Sequence, residues 1–204
     1  MPRNLLVATR NPKKLRELHE ILRDWDISLI TLDDIEGIPE IEEDGNTFVE
    51  NAIKKASTVA ALSGFITLAD DSGLVVDTLD GKPGVFSARF AGIDTDDEKN
   101  NLKLLAMMQG LSEEERTARF VCVIAIAEPG GSVQTVQGVC EGRIATSASG
   151  YGGFGYDPLF IPAGLSQSFA ELTDNEKNEI SHRGKALQEA KFLLQRILYM
   201  EGDI

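Results

Sequence analysis

The chain has 204 residues, of which 42% are hydrophobic and 26% charged, and a formal charge of −13. Those proportions belong to an ordinary soluble globular protein, long enough to bury a sizeable core as one domain with room for two lobes. The acidity argues against a general nucleic-acid binder, which needs a basic face. It leaves open a small anionic ligand held by a local cluster of Lys13-Lys14, Lys54-Lys55, Lys177 and Arg183-Gly-Lys185.

No apolar run approaches the roughly 20 residues of a membrane span. The start, Met-Pro-Arg-Asn-Leu-Leu-Val-Ala, lacks the features of a signal peptide and reads as a strand, so a cytoplasmic location is expected. Cys122 and Cys140 each lie in an apolar run and form no CxxC; with only two histidines in the chain they read as reduced core residues rather than zinc ligands.

In chain order, residues 3–9 read as a strand, and Asn11 and Pro12 as the cap and first residue of a helix to about 24. A second strand is expected over 27–32, then an acidic loop from 33 to 46. Thr47-Phe-Val-Glu50 has capping-box form and opens a helix to Ser63, stopped by Gly64. The apolar run 65–69 is the next strand, closing on Asp70-Asp71-Ser72-Gly73, with a short strand over 74–77 beyond it. A second capping box, Thr95-Asp-Asp-Glu98, opens a helix to about 109. Long β-runs over 117–127 and 132–142 are joined by Glu-Pro-Gly-Gly, a hairpin signature. A Gly-rich loop from 149 to 158, a short strand over 159–161 and a helix from 182 to about 200 complete the chain. In that helix Leu187, Ala190, Leu194, Ile197 and Leu198 share an inward face. The alternation predicts a mixed α/β fold.

Four segments carry chemistry. Thr9-Arg-Asn-Pro-Lys-Lys14 is a strand end entering a capped helix, where backbone N–H groups, the helix dipole and two lysines favour phosphate. It lacks the spacing of a Walker A loop. Gly150-Tyr-Gly-Gly-Phe-Gly155 matches G-x-G-x-x-G, yet Tyr-Asp-Pro158 follows where a dinucleotide-binding fingerprint needs a helix. Its glycines and its aromatic residues Tyr151, Phe154 and Tyr156 suit a flat ring instead. His182 and Arg183 stand on the first turn of the last helix, which Ser181 can cap; cations there are slightly unfavourable and point to a ligand. The run Glu40-Ile-Glu-Glu-Asp44, brought near Asp70-Asp71, could hold Mg²⁺, which takes one or two carboxylates plus water and phosphate oxygens.

The strings ATRNPKK, EEDGNTFVENAIKKA, LADDSGL, GKPGVFSARFAG, GGFGYDPLF and ISHRGKAL, in that order, resemble the inosine/xanthosine triphosphate pyrophosphatases, also called the Ham1-like family. The resemblance spans about residues 4–195. It implies a two-lobed α/β fold, a single such domain over 1–204, with an elongated central sheet flanked by helices and an active-site cleft between lobes. It also implies a homodimer and Mg²⁺-dependent hydrolysis of ITP, dITP and XTP to the monophosphate and pyrophosphate; from charge and the lack of a spanning run, neither nucleic acid nor membrane is expected as a partner. Thr9, Arg10, Asn11, Pro12, Lys13 and Lys14 would bind the triphosphate. Asp71 would be the catalytic carboxylate and a metal ligand, with Glu43 as its partner on the metal. Ser72 would touch substrate, Phe154, Gly155, Tyr156 and Asp157 the base, and Lys177, His182 and Arg183 the phosphate and base edge. One departure is Arg10, where the family often has glycine.

Other chemistries fit less well. A phosphomonoesterase of the haloacid-dehalogenase type needs a DxDxT-type pattern that Asp-Asp-Ser-Gly does not match. A pyrophosphatase for pyrimidine nucleotides and a non-catalytic nucleotide sensor are the remaining alternatives.

Overall fold

The computed structural model describes residues 3–93 and 96–200. Six strands form one sheet in the order β2-β1-β3-β4-β5-β6. They are β1 (Arg3–Val7), β2 (Ile27–Thr31), β3 (Thr67–Val76), β4 (Thr117–Ala127), β5 (Val133–Ile144) and β6 (Phe160–Pro162). The helices are α1 (Pro12–Leu22), α2 (Phe48–Ser63), α3 (Asp97–Met107), α4 (Asp174–Ile180) and α5 (His182–Gln195), the last continued by a π-helical turn to Met200. β1 lies parallel to both β2 and β3, while β5 and β6 are antiparallel, which makes the sheet mixed. The chain divides into two compact units, residues 1–71, 122–138 and 184–204, and residues 72–121 and 139–183.

In the first unit, strand side chains alternate between the two sheet faces with period two. Leu5, Val7, Leu68, Cys122, Ile124 and Ile126 pack with Leu18 and Leu22 of α1 and Leu187, Ala190 and Leu194 of α5. Their neighbours Leu6, Ala8, Ala69, Val123, Ala125 and Ala127 pack on α2. The α2 face is a stripe of Ala52, Ala56 and Ala60, so this helix meets the sheet through short side chains. Its ends follow local chemistry: Thr47 and Glu50 form the expected capping box, and Gly64 closes the helix at φ +74°. In the second unit, Leu74, Val76, Phe120, Ile144 and Phe160 enclose a core with Leu104 and Met108, and Tyr156 and Phe169 fill it out.

One expectation changes. The segment Asp70–Gly73 does not end a strand, because β3 runs on without a break to Val76. The carboxylates stay inside a strand because each meets a partner across the sheet face it points to, as described below. The segment 84–89 is a 3₁₀ helix. Asp96 caps α3, its carboxylate accepting from the Lys99 amide, and the expected cap at Thr95 lies outside the described residues. The helix α4 was not foreseen; Ser181 is its C-cap and also the residue preceding α5.

Candidate active site

In the first unit, charge gathers around the middle of β3. Asn11 starts α1, its Oδ1 accepting from the amides of Lys13 (3.0 Å) and Lys14 (3.4 Å), and Thr9 Oγ1 accepts from Asn11 N (3.2 Å). That cap sets the first turn of α1 and places Lys14 Nζ 3.0 Å from a carboxylate oxygen of Asp70, whose side chain has no solvent exposure. Asp71, one residue on, points to the other face, where Asn51 Nδ2 of α2 donates to its Oδ2 at 3.0 Å. Lys55, one helical turn beyond Asn51, bonds Glu43.

The loop before α2 is fitted to this arrangement. Asn51 Oδ1 accepts from Gly45 N at 2.8 Å, so the same amide holds both the loop and Asp71. A Cβ on Gly45 would lie 2.7 Å from Asn51 Oδ1, which leaves glycine as the residue that fits. Of the acidic run, Glu43 is the carboxylate whose charge reaches Asp71, whereas Asp44 turns outward to Lys54 (2.6 Å). Arg10 reaches the loop as well, its Nη2 donating to Ile38 O at 2.9 Å.

Burial, then the charge of Glu43, pushes the Asp71 carboxyl up to about 6, against the pull of Asn51, Lys14 and Lys55. A carboxyl in that range is mostly ionised at neutral pH yet takes up a proton far more readily than an ordinary aspartate, which suits it to move one. Burial works to lower the Lys55 ammonium, but the carboxylates of Asp70, Glu43 and Asp71 outweigh it and hold Lys55 above its ordinary value.

The second unit holds the remaining predicted residues. In the Gly-rich loop, Asp157 Oδ2 accepts from Phe154 N (2.7 Å) and from Lys177 Nζ (2.8 Å). A Cβ on Gly153 would fall 2.0 Å from that oxygen, and φ there is +69°. Phe154 lies under two cations, Lys177 Nζ at 4.9 Å and Arg183 Cζ at 5.8 Å from its ring centroid. Arg183 Nη2 donates to Ser72 Oγ at 2.9 Å, and Tyr156 is tied by its hydroxyl to Ser87 O (2.9 Å). His182 stacks on Phe120 at 4.6 Å, within an aromatic cluster that includes Phe160 and Phe169. Lys177, His182 and Arg183 are each buried. As the sequence indicated, the loop leads through turns to β6 and not into a helix.

The donors in the first unit suit a hard cation. Glu43 and Asp71 are oxygen donors whose repulsion already lifts the Asp71 carboxyl, and a dication beside them would relieve it. Among the described residues no three His, Cys, Asp or Glu side chains group as a cage. The set therefore fits an ion that takes one or two carboxylates and draws its other ligands from water and phosphate, as Mg²⁺ does.

A model of the Ham1 family matches residues 5–192. The chain belongs to the Ham1 family. It is 52% identical over 200 residues to a dITP/XTP pyrophosphatase of Desulforamulus reducens, covering 98% of this chain and 99% of the relative. It is 54% identical to the dITP/XTP pyrophosphatase of Geobacter sulfurreducens, over 90% of this chain and 92% of the relative. Among solved structures, a HAM1 protein from Coxiella burnetii superposes with a TM-score of 0.86 at 42% identity, over 94% of this chain and 98% of that one. The Staphylococcus aureus Ham1 protein gives 0.84 at 37% identity, over 98% and 100%.

Within this Ham1 protein, the first unit brings together Thr9, Asn11, Lys14, Glu43 and Asp71, and the second gathers Ser72, Phe154, Gly155, Tyr156, Asp157, Lys177, His182 and Arg183. Lys13 and Pro12 remain on the exposed side of the α1 start. Sequence reasoning missed Asn51, and it noted Lys55 only as part of a basic cluster. Their spacing of four residues on a capped helix places both on one face of α2 and was the available signal.

Proposed function

We propose that the protein hydrolyses dITP, ITP and XTP to the nucleoside monophosphate and pyrophosphate, working as a Mg²⁺-dependent cytoplasmic homodimer of single-domain subunits. The observation that carries the chemistry is the buried carboxylate Asp71, raised to about 6 beside Glu43 and two lysines, in a member of the Ham1 family. A triphosphate repels a nucleophile, so the site must first neutralise it. Lys14 and the N-terminal turn of α1 supply positive potential for the phosphates. Mg²⁺, held by Glu43 and Asp71, would add Lewis-acid charge neutralisation at the phosphate oxygens. Asp71 orients water and takes its proton as the oxygen adds in line to the α-phosphorus and pyrophosphate leaves. Asn51 keeps the Asp71 carboxylate aligned throughout.

Phe154, Gly155, Tyr156 and Asp157 hold the purine, and Arg183, with His182, faces the 6-oxo group. A donor there suits hypoxanthine and xanthine and opposes the 6-amino group of adenine, and a mismatched buried polar group discriminates strongly. Among the described residues no helix is long and apolar enough to cross a membrane.

The test is a product assay. Purified protein with Mg²⁺ is given ITP, XTP, ATP, GTP and dTTP, and phosphorus NMR reads the products. IMP or XMP with pyrophosphate, and little turnover of ATP or GTP, is the expected result. Orthophosphate, or indifference to the base, overturns the assignment. Chelation of the metal should stop turnover and added Mg²⁺ restore it.

A further inference from the structure

Phe154 is followed by Gly155, the most permissive residue available to a backbone. Packing does not restrain it, since a Cβ placed on Gly155 would meet nothing within 4 Å. Two side chains of α3 take over that task. Asp97 Oδ2 accepts from Gly155 N at 2.8 Å, and Asn101 Nδ2 donates to Gly155 O at 2.9 Å. The two residues are four apart and share one face of the helix. Gly155 N belongs to the peptide shared with Phe154 and Gly155 O to the peptide shared with Tyr156, so both peptide planes around the flexible glycine are fixed from one helix.

We propose that Asp97 and Asn101 are positioning residues that clamp Gly155 and thereby set the Phe154 ring for purine recognition. The proposal rests on the reading of Phe154 to Asp157 as the base-binding segment. The amino side of Phe154 is already held, its N–H donating to Asp157 at 2.7 Å. On the carboxyl side a turn bond from Asp157 N to Phe154 O at 3.2 Å spans Gly155, and Asp97 fixes the peptide within that turn. Asn101 shows the cost of this arrangement. Its Oδ1 is buried and has no hydrogen-bond partner among the described residues, so it is the Nδ2 bond to Gly155 O that orients the amide. The clamp acts on the backbone of the base-binding segment, and its effect belongs to the base-dependent part of binding.

The experiment compares Asp97→Ala, Asp97→Asn, Asn101→Ala and Phe154→Ala with the native enzyme, measuring kcat and KM for ITP and for ATP together with thermal melting. Asp97 is exposed, so its truncation leaves the core intact. Loss of one charge-assisted bond should raise KM for ITP about tenfold and lower the ITP-to-ATP ratio of kcat/KM by a similar factor, with kcat for ITP within about twofold. Asp97→Asn keeps an acceptor for Gly155 N and should recover most of the ratio. An unchanged ratio in Asp97→Ala, with Phe154→Ala altering it, overturns the clamp and leaves the base-binding reading standing. Equal losses on ITP and ATP with a lowered melting point assign the pair to stability and also overturn the clamp. An unchanged ratio in Phe154→Ala overturns both readings.

Discussion

Asp70 and Asp71 are neighbours on β3 that answer to different helices: Lys14 of α1 closes on Asp70 at 3.0 Å, and Asn51 of α2 donates to Asp71 at 3.0 Å. The strand's alternation divides adjacent carboxylates between two sheet faces and gives them separate environments. One is neutralised at close range by a lysine. The other is left with a raised proton affinity, which is the state that acid–base work requires.

Asp71→Asn should lose turnover and gain stability. The native chain holds the Asp71 proton with a value of about 6 against 3.8 for an ordinary aspartate. The folded state therefore binds that proton more tightly than the unfolded chain. Protonation favours the fold, and the ionised group costs the metal-free protein about 3 kcal/mol at neutral pH. Without metal at pH 7.5, the variant should melt at a higher temperature than the native chain. The gap should close as pH falls from about 6 toward 4, because the native carboxyl takes up its proton in that window. A variant less stable at pH 7.5, or one that retains native turnover, contradicts this account.

The pairing of Lys14 with Asp70 can be measured by a double-mutant cycle. Removing Lys14 leaves a buried carboxylate with one cation fewer, which should cost about 2–3 kcal/mol, moderated because the charge of Lys55 also acts on Asp70. Lys14→Met together with Asp70→Asn should regain most of the loss in urea unfolding, while activity stays low. Additive losses in the double variant would show that the two side chains do not stabilise one another.

In the Gly-rich loop, two glycines with positive φ should respond differently to alanine. Gly155→Ala meets no neighbour and carries only the strain of φ +61°, about 1 kcal/mol. Gly153→Ala drives a methyl into Asp157 Oδ2 and displaces the acceptor shared by Phe154 N and Lys177. A loss of about 3 kcal/mol and a rise in KM for ITP are expected. Parallel melting curves and kinetics of the two variants check the contrast.

Arg116 makes a prediction outside the site. Its guanidinium is buried and donates to the carbonyls of Ile144 (2.7 Å), Met108 (2.8 Å) and Ala145 (2.8 Å). Arg116→Met strands those acceptors and should cost about 4 kcal/mol in unfolding free energy, with kcat of the folded enzyme within about twofold. A loss under about 1 kcal/mol would mean that water replaces the guanidinium.

By itself the sequence determined those features that depend on a few neighbouring residues. Asn11 and Pro12 set the start of α1, and Thr47 with Glu50 and then Gly64 bounded α2, because caps act within one turn. The apolar run of β4 and the inward face of α5 followed from periodicity. The motif strings in order were sufficient for the family. Tertiary structure decided whether Asp70-Asp71 would interrupt β3, since two acidic residues in a strand are tolerated only where partners meet them. Those partners come from α1 and α2, far off in sequence. It likewise brought the charge of Glu43, which the resemblance had named, to bear on Asp71, buried Lys177 and Arg183 against aromatic rings, and brought Asp97 and Asn101 to Gly155. A charge in water costs little wherever it stands, but a buried charge depends on what lies within a few ångströms of it, and only the folded chain supplies that neighbour.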